Sequence, residues 1–170
     1  MKISIIVSVS ENWVIGKNNK LLWNLSSDLK RFKDLTTNNP VIMGQKTFES
    51  LPKGALPNRT NIVLTDNDNF NAPDIIITHS IIEALAQAKF KHGNKSEVFI
   101  IGGGMIYKQF LEFADYIYLT VVHTTIDGDT SFPELDIKQW KLLSEEFKEK
   151  DDKNEYDHTY KIYKRKLKNN

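Results

Sequence analysis

Apolar runs alternate with amphipathic segments along the first 122 residues of the chain, and this alternation predicts its fold. Strands are predicted where Ile and Val are nearly continuous, as in strands covered on both faces: 2–10, 40–43, 61–65, 74–78, 98–101 and 116–122. Helices are predicted where apolar residues recur every three or four positions: 27–35, 45–51, 80–90 and a segment after residue 104. This order favours an α/β fold with a mostly parallel central sheet of about eight strands and helices on both faces.

The last third of the chain contains two further strand-like segments, 140–147 and 159–166, with the acidic turn 151–152 between them. Two segments joined in this way predict an antiparallel pair at the C-terminal edge of the sheet. No internal repeat or linker interrupts the sequence, so one domain over 1–170 is expected. The basic run at 164–168 is interpreted as a solvated strand end or tail.

Three local signals predict how the helices begin and which faces they bury. Ser26 offers a hydroxyl of the kind that caps a helix start. The sequence Ser-Ile-Ile-Glu at 80–83 is a capping box for the third helix. The helix after residue 104 is expected to bury one apolar face, formed by Ile106, Phe110 and Phe113.

The segment 11–35 combines a long loop with the start of a helix, and it contains the strongest candidate for chemistry. Its apolar stripe consists of Leu25, Leu29, Phe32 and Leu35. Asp28 lies next to that stripe, so its carboxylate should lean over the buried face and be paired or have a raised pKa. A structural interpretation is also open, because an acidic residue in a first helical turn is favourable without any function.

Ligands of parallel sheets bind beyond the carboxyl ends of the strands, which here would gather 8–10, 44–47, 65–66, 78–80 and 102–104 on one rim. The three glycines at 102–104 would let a phosphate approach the backbone, although they could simply form a tight turn. The segment 44–47 offers a second helix start, with Lys46 and Thr47 as phosphate partners.

Composition and charge exclude several other classes of function. The net charge of +1 gives no bulk attraction to nucleic acid or membrane. The chain has no cysteine, which excludes disulfides, thiolate metal sites and cysteine nucleophiles, and it is compatible with a reducing cytoplasm. The apolar segment 3–9 is too short and too polar for a signal peptide or a membrane span. No histidine has metal-ligand company and no serine has a nucleophile motif, so neither a metal site nor covalent catalysis is expected.

Eight motifs occur in an order that carries a resemblance to a known family. They are Val14-Ile15-Gly16, Leu22-Trp23-Asn24-Leu25, Asp28-Leu29, Pro40-Val41-Ile42-Met43-Gly44, Thr47-Phe48-Glu49-Ser50, Leu56-Pro57-Asn58-Arg59, Ile100-Ile101-Gly102-Gly103-Gly104 and Gly128-Asp129-Thr130-Ser131-Phe132-Pro133. Together they resemble dihydrofolate reductase of the bacterial chromosomal type over essentially the whole chain. The aspartate at 28, where vertebrate forms have glutamate, points to the bacterial branch.

The resemblance implies that NADPH passes a hydride to C6 of dihydrofolate while N5 takes a proton through water. Asp28 would bind the edge of the pterin that carries two N–H donors, the 2-amino group and the neighbouring ring nitrogen. Trp23 would help to order a water beside Asp28. Leu21 and Tyr107 would also belong to the catalytic centre. An adenosine-binding subdomain would span about 39–92, and a cytoplasmic monomer that binds antifolates such as trimethoprim is expected.

The resemblance also assigns the binding residues. For the substrate these are Ile6, Val7, Asp28, Leu29, Phe32, Ser50, Leu51, Leu56, Arg59, Ile101 and Thr120, with Arg59 pairing the glutamate α-carboxylate of folate. For NADPH they are Ser8, Ile15, Gly16, Asn19, Leu21, Gly44, Gln45, Lys46, Thr47, Leu64, Thr65, Asp66, His79, Gly102, Gly103, Gly104, Met105, Ile106, Tyr107 and Thr130. Asp129 would hold the 12–24 loop closed, and a cis peptide would join Gly102 to Gly103.

Three positions depart from the family pattern. Leu22 replaces a proline, Gln45 a basic residue, and Asp66 a serine near the adenosine 2′-phosphate. The last two changes predict a weaker preference for NADPH over NADH than in relatives with arginine at 45. Two other functions stay open, a pyrimidine reductase of riboflavin synthesis and a non-catalytic nucleotide-binding module.

Overall fold

The secondary structure consists of ten strands and four helices in the computed structural model, which describes residues 1–167. The strands are β1 (Lys2–Ser10), β2 (Val14–Gly16), β3 (Pro40–Gly44), β4 (Thr60–Leu64), β5 (Ile75–Thr78), β6 (Glu97–Gly102), β7 (Tyr116–Val122), β8 (Thr130–Ser131), β9 (Trp140–Lys148) and β10 (His158–Arg165). The helices are α1 (Ser26–Thr36), α2 (Gln45–Glu49), α3 (Ile81–His92) and α4 (Gly104–Phe110).

Eight strands form one sheet in the order β5-β4-β3-β6-β1-β7-β10-β9. The pairs from β5 to β7 are parallel, whereas β10 is antiparallel to both β7 and β9. The prediction of a mostly parallel sheet with an antiparallel C-terminal pair is therefore confirmed. The segment 39–92 contributes β3, β4, β5 and two helices to one edge, and its role as a separate subdomain stays a prediction.

The core has two apolar layers, one on each face of the sheet. Successive residues of β1 alternate between them, since Ile5 and Val7 pack in one layer and Ile6 packs in the other. Helices α3 and α4 contribute to the first layer, and α1 and α2 contribute to the second. The helices thus cover both faces, which leaves the carboxyl ends of the central strands as the place where loops converge.

The predicted cap of α1 is wrong, because Ser26 is the first helical residue and the preceding Leu25 makes no side-chain cap. The cap comes from a remote turn instead. The Asn154 side-chain oxygen accepts the backbone N–H of Ser27 at 3.0 Å, and the Lys153 carbonyl accepts that of Ser26 at 3.1 Å. The buried Asn154 therefore satisfies a free amide at the start of the helix.

The third helix has its predicted cap, since the Ser80 hydroxyl accepts the backbone N–H of Glu83 at 3.1 Å. The fourth helix is shorter than predicted. It ends at Phe110, and Phe113 lies in the following turn with 42% of its surface exposed. The predicted apolar face therefore includes Ile106 and Phe110 but not Phe113.

The basic run at 164–168 is not simply a solvated tail. The Arg165 guanidinium lies 4.3 Å from the Trp140 ring, and Nε donates to the Ala114 carbonyl at 2.7 Å. Its Nη2 donates to the Leu111 carbonyl. Lys168 lies outside the described residues. Arg165 is therefore a structural residue that joins β10 to the end of α4.

Between residues 1 and 167, none of the helices has both the length and the apolar character needed to cross a membrane.

Candidate active site

The candidate site is built around Asp28, in the first turn of α1, and Thr120, near the end of β7. The Thr120 hydroxyl donates to the Asp28 carboxylate at 2.6 Å. Desolvation raises the pKa of this carboxyl group, although the Thr120 hydrogen bond and the nearby Arg31 and His158 partly oppose the rise. The structure thus gives Asp28 the paired, partly desolvated environment that its place beside the apolar stripe predicts.

Trp23 lies under the same end of the sheet and packs with Leu25 and Val122. Its side chain is 7% exposed, and its indole N–H has no hydrogen-bond partner among residues 1–167. The Ser8 hydroxyl at the end of β1 is also buried without a partner in the described part of the chain. Buried polar groups are rarely left unpaired, so both atoms are candidates for a hydrogen bond to water or to a ligand.

Five of the eleven predicted substrate residues lie in the second apolar layer. Those that share it are Ile6, Phe32, Leu51, Leu56 and Ile101. Val7 does not, since its side chain packs in the layer on the opposite face of the sheet. Leu29 is 56% exposed, and Ser50 is exposed with its hydroxyl donating to the Thr47 carbonyl at 2.6 Å.

Arg59 is held at the far end of α1. Its Nε donates to the Thr36 hydroxyl at 2.8 Å and its Nη1 to the Pro57 carbonyl at 2.6 Å. The guanidinium lies 5.9 Å from the Phe32 ring. These contacts fix a positive charge beside Phe32 of the second apolar layer, where it can bind a carboxylate.

The glycine junction after β6 brings backbone and ring together at the centre of the rim. A cis peptide joins Gly102 to Gly103, and a Cβ on Gly102 would lie 3.1 Å from the Tyr107 ring. A Cβ on Gly104 would lie 2.7 Å from Cγ2 of Thr130. The close approach of these groups explains why residues without side chains occupy this junction.

Tyr107 connects that junction to β1, because its buried hydroxyl donates to the Ile6 carbonyl at 2.8 Å. Burial, with a smaller contribution from the Asp28 charge, raises the pKa of this phenol. Tyr107 therefore stays neutral and its proton is already engaged.

The start of α2, at residues 44–47, lies beside the glycine junction at 102–104 and also contacts the end of β4. Thr47 lies beside Gly103, since a Cβ there would be 3.3 Å from the threonine hydroxyl. The Gln45 side chain accepts the Thr65 hydroxyl at 2.7 Å and donates to Glu49 at 2.8 Å. Lys46 is exposed at the same helix start.

The end of β4 also binds the predicted histidine. His79 Nδ1 lies 2.8 Å from the Thr65 carbonyl oxygen and 3.9 Å from the exposed Asp68 carboxylate. Asp66, which follows Thr65 in the chain, is also exposed. Leu64 is half-buried in the first apolar layer. Acidic and neutral groups thus outnumber cations at this end of the rim.

Several contacts attach the loop that follows β1 to the body of the protein, among them those of Asp129 and Glu155. The Asp129 carboxylate accepts the backbone N–H of Asn18 at 2.9 Å, and the Asp129 N–H donates to the Gly16 carbonyl at 3.1 Å. Further on, Asn24 exchanges two hydrogen bonds with Glu155, at 2.6 and 3.1 Å. Hydrogen bonds from Asn18 and Thr130 lower the pKa of Asp129.

The other predicted cofactor residues occupy different environments. Ile15 lies near Gly104, and Ile106 is buried against Gly44. Asn19 has a positive φ of 59°, in the turn next to Asn18. Two large side chains, Leu21 and Met105, are 56% and 75% exposed.

The sequence reasoning did not single out Ser27, Arg31, Asn154, His158 or Tyr160, which form the support behind Asp28. His158 and Tyr160 lie two positions apart on β10, but Thr159 between them is buried too, so no alternation singled them out. Asn154 offered no signal either, because asparagine is an ordinary turn residue. Within 1–167, no three His, Asp or Glu side chains are grouped so that they could hold a metal ion.

Comparison with known proteins agrees with this geometry. The family model described as Dihydrofolate reductase matches residues 2–165. The dihydrofolate reductase of Staphylococcus haemolyticus is 42% identical over 165 residues, which cover 97% of this chain and 96% of that protein. That of Haemophilus influenzae is 42% identical over 166 residues, which cover 98% and 100%.

A solved structure shares the fold as well as the sequence. Dihydrofolate reductase from Enterococcus faecalis, complexed with NADP(H) and RAB-propyl, superposes with a TM-score of 0.88. It is 38% identical, and the match covers 96% of each chain. The chain therefore belongs to the dihydrofolate reductase family, whose reaction is the NADPH-dependent reduction of dihydrofolate.

Proposed function

We propose that this chain reduces 7,8-dihydrofolate to 5,6,7,8-tetrahydrofolate with Asp28 as the residue that holds the pterin. One observation carries the proposal: a desolvated carboxylate, fixed by Thr120 at 2.6 Å, lies at the carboxyl ends of the strands. The pterin offers two N–H donors on one edge, and a carboxylate accepts both in a bidentate pair. The negative charge of Asp28 also favours protonation of the bound ring.

The residues of the rim fit NADPH. The unpaired Ser8 hydroxyl supplies a polar contact beside the nicotinamide side of the site, and the glycine junction at 102–104 leaves room for close approach to the backbone. Lys46, Thr47 and the half-buried start of α2 supply groups for phosphate. NADPH, when bound, supplies the hydride for C6 of dihydrofolate.

The proton for N5 reaches the substrate through water in this proposal. Tyr107 is unsuited to donate it, because its hydroxyl is bound to the Ile6 carbonyl and burial raises its pKa. The unpaired Trp23 indole N–H is placed to hold a water near Asp28. Asp28 therefore orients the substrate and polarises its surroundings rather than delivering the proton directly to N5.

Two outer groups complete the proposed site. Arg59 would bind the α-carboxylate of the glutamate tail, since its guanidinium is fixed by Thr36 and Pro57 while remaining charged. Asp129 would keep the 12–24 loop over the nicotinamide and exclude water during hydride transfer.

The proposal extends to inhibitors, assembly and compartment. A diaminopyrimidine such as trimethoprim presents the same two-donor edge as the pterin, so Asp28 should bind it in the same way. We also propose a cytoplasmic monomer; the absence of cysteine is compatible with a reducing compartment. Trimethoprim inhibition and sedimentation of the purified chain test the first two points.

Mixing protein, NADPH and dihydrofolate and following the nicotinamide absorbance tests the function. Asp28→Asn should lose at least about 100-fold in turnover at neutral pH while folding normally. Asp34→Asn is the matched control, because Asp34 lies on the same helix but is exposed and paired only with Lys30. Wild-type turnover in Asp28→Asn would refute the assigned role.

Turnover with a ribosylamino-pyrimidine, but not with dihydrofolate, would favour the riboflavin-pathway reaction instead. A chain that binds NADPH and reduces neither substrate would be a nucleotide-binding module.

A further inference from the structure

Arg31 is a half-buried cation on the same helix as Asp28, one turn further along. Residues three apart on a helix share a face, so both side chains lie on the side that meets the sheet. The guanidinium is 4.5 Å from the Tyr160 ring and 5.8 Å from the Tyr118 ring. Two aromatic rings thus fix the position of a charge that a solvated arginine would leave mobile.

The ring beneath Arg31 is itself tied to the residue before Asp28. The Tyr160 hydroxyl donates to the Ser27 hydroxyl at 3.1 Å, and Ser27 donates to the Asn154 side-chain oxygen at 2.9 Å. His158 Nε2 lies 3.1 Å from the same serine hydroxyl. The cluster of Ser27, Asn154, His158 and Tyr160 therefore joins α1 to β10 directly behind the carboxylate.

Few other charges act on this pair. The titratable groups that act on Asp28 are Arg31, His158 and the phenols of Tyr107 and Tyr160. Those that act on Arg31 are Asp28, Tyr160, Tyr118 and Glu146. In the described part of the chain no carboxylate oxygen lies within 4.0 Å of the Arg31 guanidinium, so no close ion pair neutralises it. Lys30, by contrast, is exposed and paired with Asp34 at 2.6 Å.

We propose that Arg31 is a positioning residue for the reaction, which acts through Asp28 by keeping its carboxylate ionised and ready to accept both N–H groups of the substrate edge. Coulombic attraction between partly desolvated charges persists over several ångströms, because water screens them poorly. The stacking on Tyr160 supplies the fixed geometry that this attraction needs. The role in turnover rests on the proposed function, whereas the electrostatic effect on Asp28 does not.

The direct test is the titration of the Asp28 carboxyl group in the full chain without ligand, followed by carbon NMR of isotope-labelled aspartate and assigned with Asp28→Asn. Arg31→Gln should move the titration midpoint to higher pH by several tenths of a unit, and Arg31→Lys should restore most of the change. Lys30→Gln, which removes the same formal charge from an exposed position, should leave the midpoint unchanged. An unchanged midpoint in Arg31→Gln, or an equal shift in Lys30→Gln, would overturn the proposal.

Substitutions of Tyr160 and the affinity for dihydrofolate provide two further tests. Tyr160→Phe keeps the ring under the guanidinium and should preserve the midpoint, whereas Tyr160→Leu should shift it in the direction of Arg31→Gln. At the pH of the wild-type midpoint, Arg31→Gln should weaken dihydrofolate binding about two- to threefold relative to Lys30→Gln, because a smaller fraction of its Asp28 is ionised there. A shifted midpoint with unchanged dihydrofolate affinity would overturn the role of Arg31 in substrate binding. Failure of the wild-type chain to reduce dihydrofolate would instead remove the proposed function and leave the electrostatic result standing.

Discussion

The Asp129 carboxylate accepts the backbone N–H of Asn18 across 2.9 Å, although the two residues are 111 positions apart in the chain. The Asp129 N–H donates to the Gly16 carbonyl at 3.1 Å, so one residue binds the loop through both its side chain and its backbone. The strands β2 and β8 pair directly beside these bonds. The short sheet and the carboxylate together hold the loop over the glycine junction.

Asp129→Ala should therefore release the loop without disturbing the core. Hydride transfer should slow by roughly tenfold or more, because small displacements of a closing loop misplace the reacting groups. Single-turnover kinetics and amide hydrogen exchange at Asn18 measure the two effects. Asp34→Ala is the matched control, since Asp34 is exposed on α1, outside the loop, and is ion-paired with Lys30 at 2.6 Å. Equal rates in the two variants would contradict a role for Asp129 in loop closure.

Asn154→Ala should destabilise the protein through the helix that carries Asp28. The side chain caps α1 at Ser27 and is held by Asp151 at 2.8 Å, so its loss leaves a buried amide unpaired. A loss of about 1–2 kcal/mol in the free energy of unfolding is expected, as for other N-caps. Urea denaturation measures it, and Ser26→Ala is the control because Ser26 makes no cap. A larger loss in Ser26→Ala would show that the cap is assigned to the wrong residue.

Arg165→Ala should also destabilise the chain, by about 2 kcal/mol, because two main-chain acceptors lose their donor and the Trp140 ring loses its cover. Arg165→Lys should recover only part of this loss, since an ammonium cannot reproduce the planar fork. Lys164→Ala is a neighbouring control in the same strand. Thermal unfolding of the three variants decides the matter, and equal stability in Arg165→Ala and Lys164→Ala would contradict the structural role.

Asn154 and Arg165 mark the limit of what the sequence could predict. Strands such as β1 follow from a local run of Ile and Val, and the cap at Ser80 follows from four adjacent residues, so both were predictable. The cap of α1 joins residues 127 positions apart, and no local pattern distinguishes Asn154 from any other turn asparagine. Ser26 has the right chemistry but stands one position inside the helix, which only the backbone geometry reveals.

In the candidate site, too, some residues could be predicted from the sequence and others depend on contacts between distant segments. Asp28, Trp23 and the glycine junction were predicted from residue type and spacing, together with the family resemblance. Arg31 and the cluster behind it were not, because their importance arises from the pairing of β10 with β7. Val7 is next to Ile6 in sequence, but its side chain packs on the opposite side of the sheet, and its contact with the substrate stays a prediction.

The raised pKa of Asp28 predicts how stability depends on pH. Because the folded protein holds the proton more tightly than the unfolded chain, this group stabilises the fold fully below the unfolded pKa of about 4. That contribution is lost as the pH rises through the folded pKa, where the buried carboxylate must ionise. The Tm of Asp28→Asn minus that of the wild type should therefore increase with pH over this window and then level off. Thermal unfolding at a series of pH values measures this difference in Tm, with Asp34→Asn as the control. A difference that falls as the pH rises would show that folding lowers the pKa of Asp28 rather than raising it.

Cofactor preference depends on the charges around Gln45 and Asp66, where the resemblance to the family locates the adenosine 2′-phosphate. The Gln45 side chain is neutral, and both of its polar atoms are already bound, to Thr65 at 2.7 Å and Glu49 at 2.8 Å. The exposed carboxylate of Asp66 would repel a phosphate at this position, and Lys46 supplies the compensating charge. The ratio of kcat/KM for NADPH to that for NADH should therefore be smaller than in relatives with arginine at 45.

Gln45→Arg and Asp66→Ser should each raise that ratio by roughly three- to tenfold, the effect of one exposed charge on a nearby phosphate. Both should act mainly through the KM for NADPH and leave the rate with NADH unchanged, because NADH has no 2′-phosphate. Asp74→Ser removes a comparable exposed carboxylate before β5 and serves as the control. A wild-type ratio as large as that of the arginine-containing relatives would refute the electrostatic argument. An equal response to Asp74→Ser would show that the net charge of the chain, rather than these two positions, governs the preference.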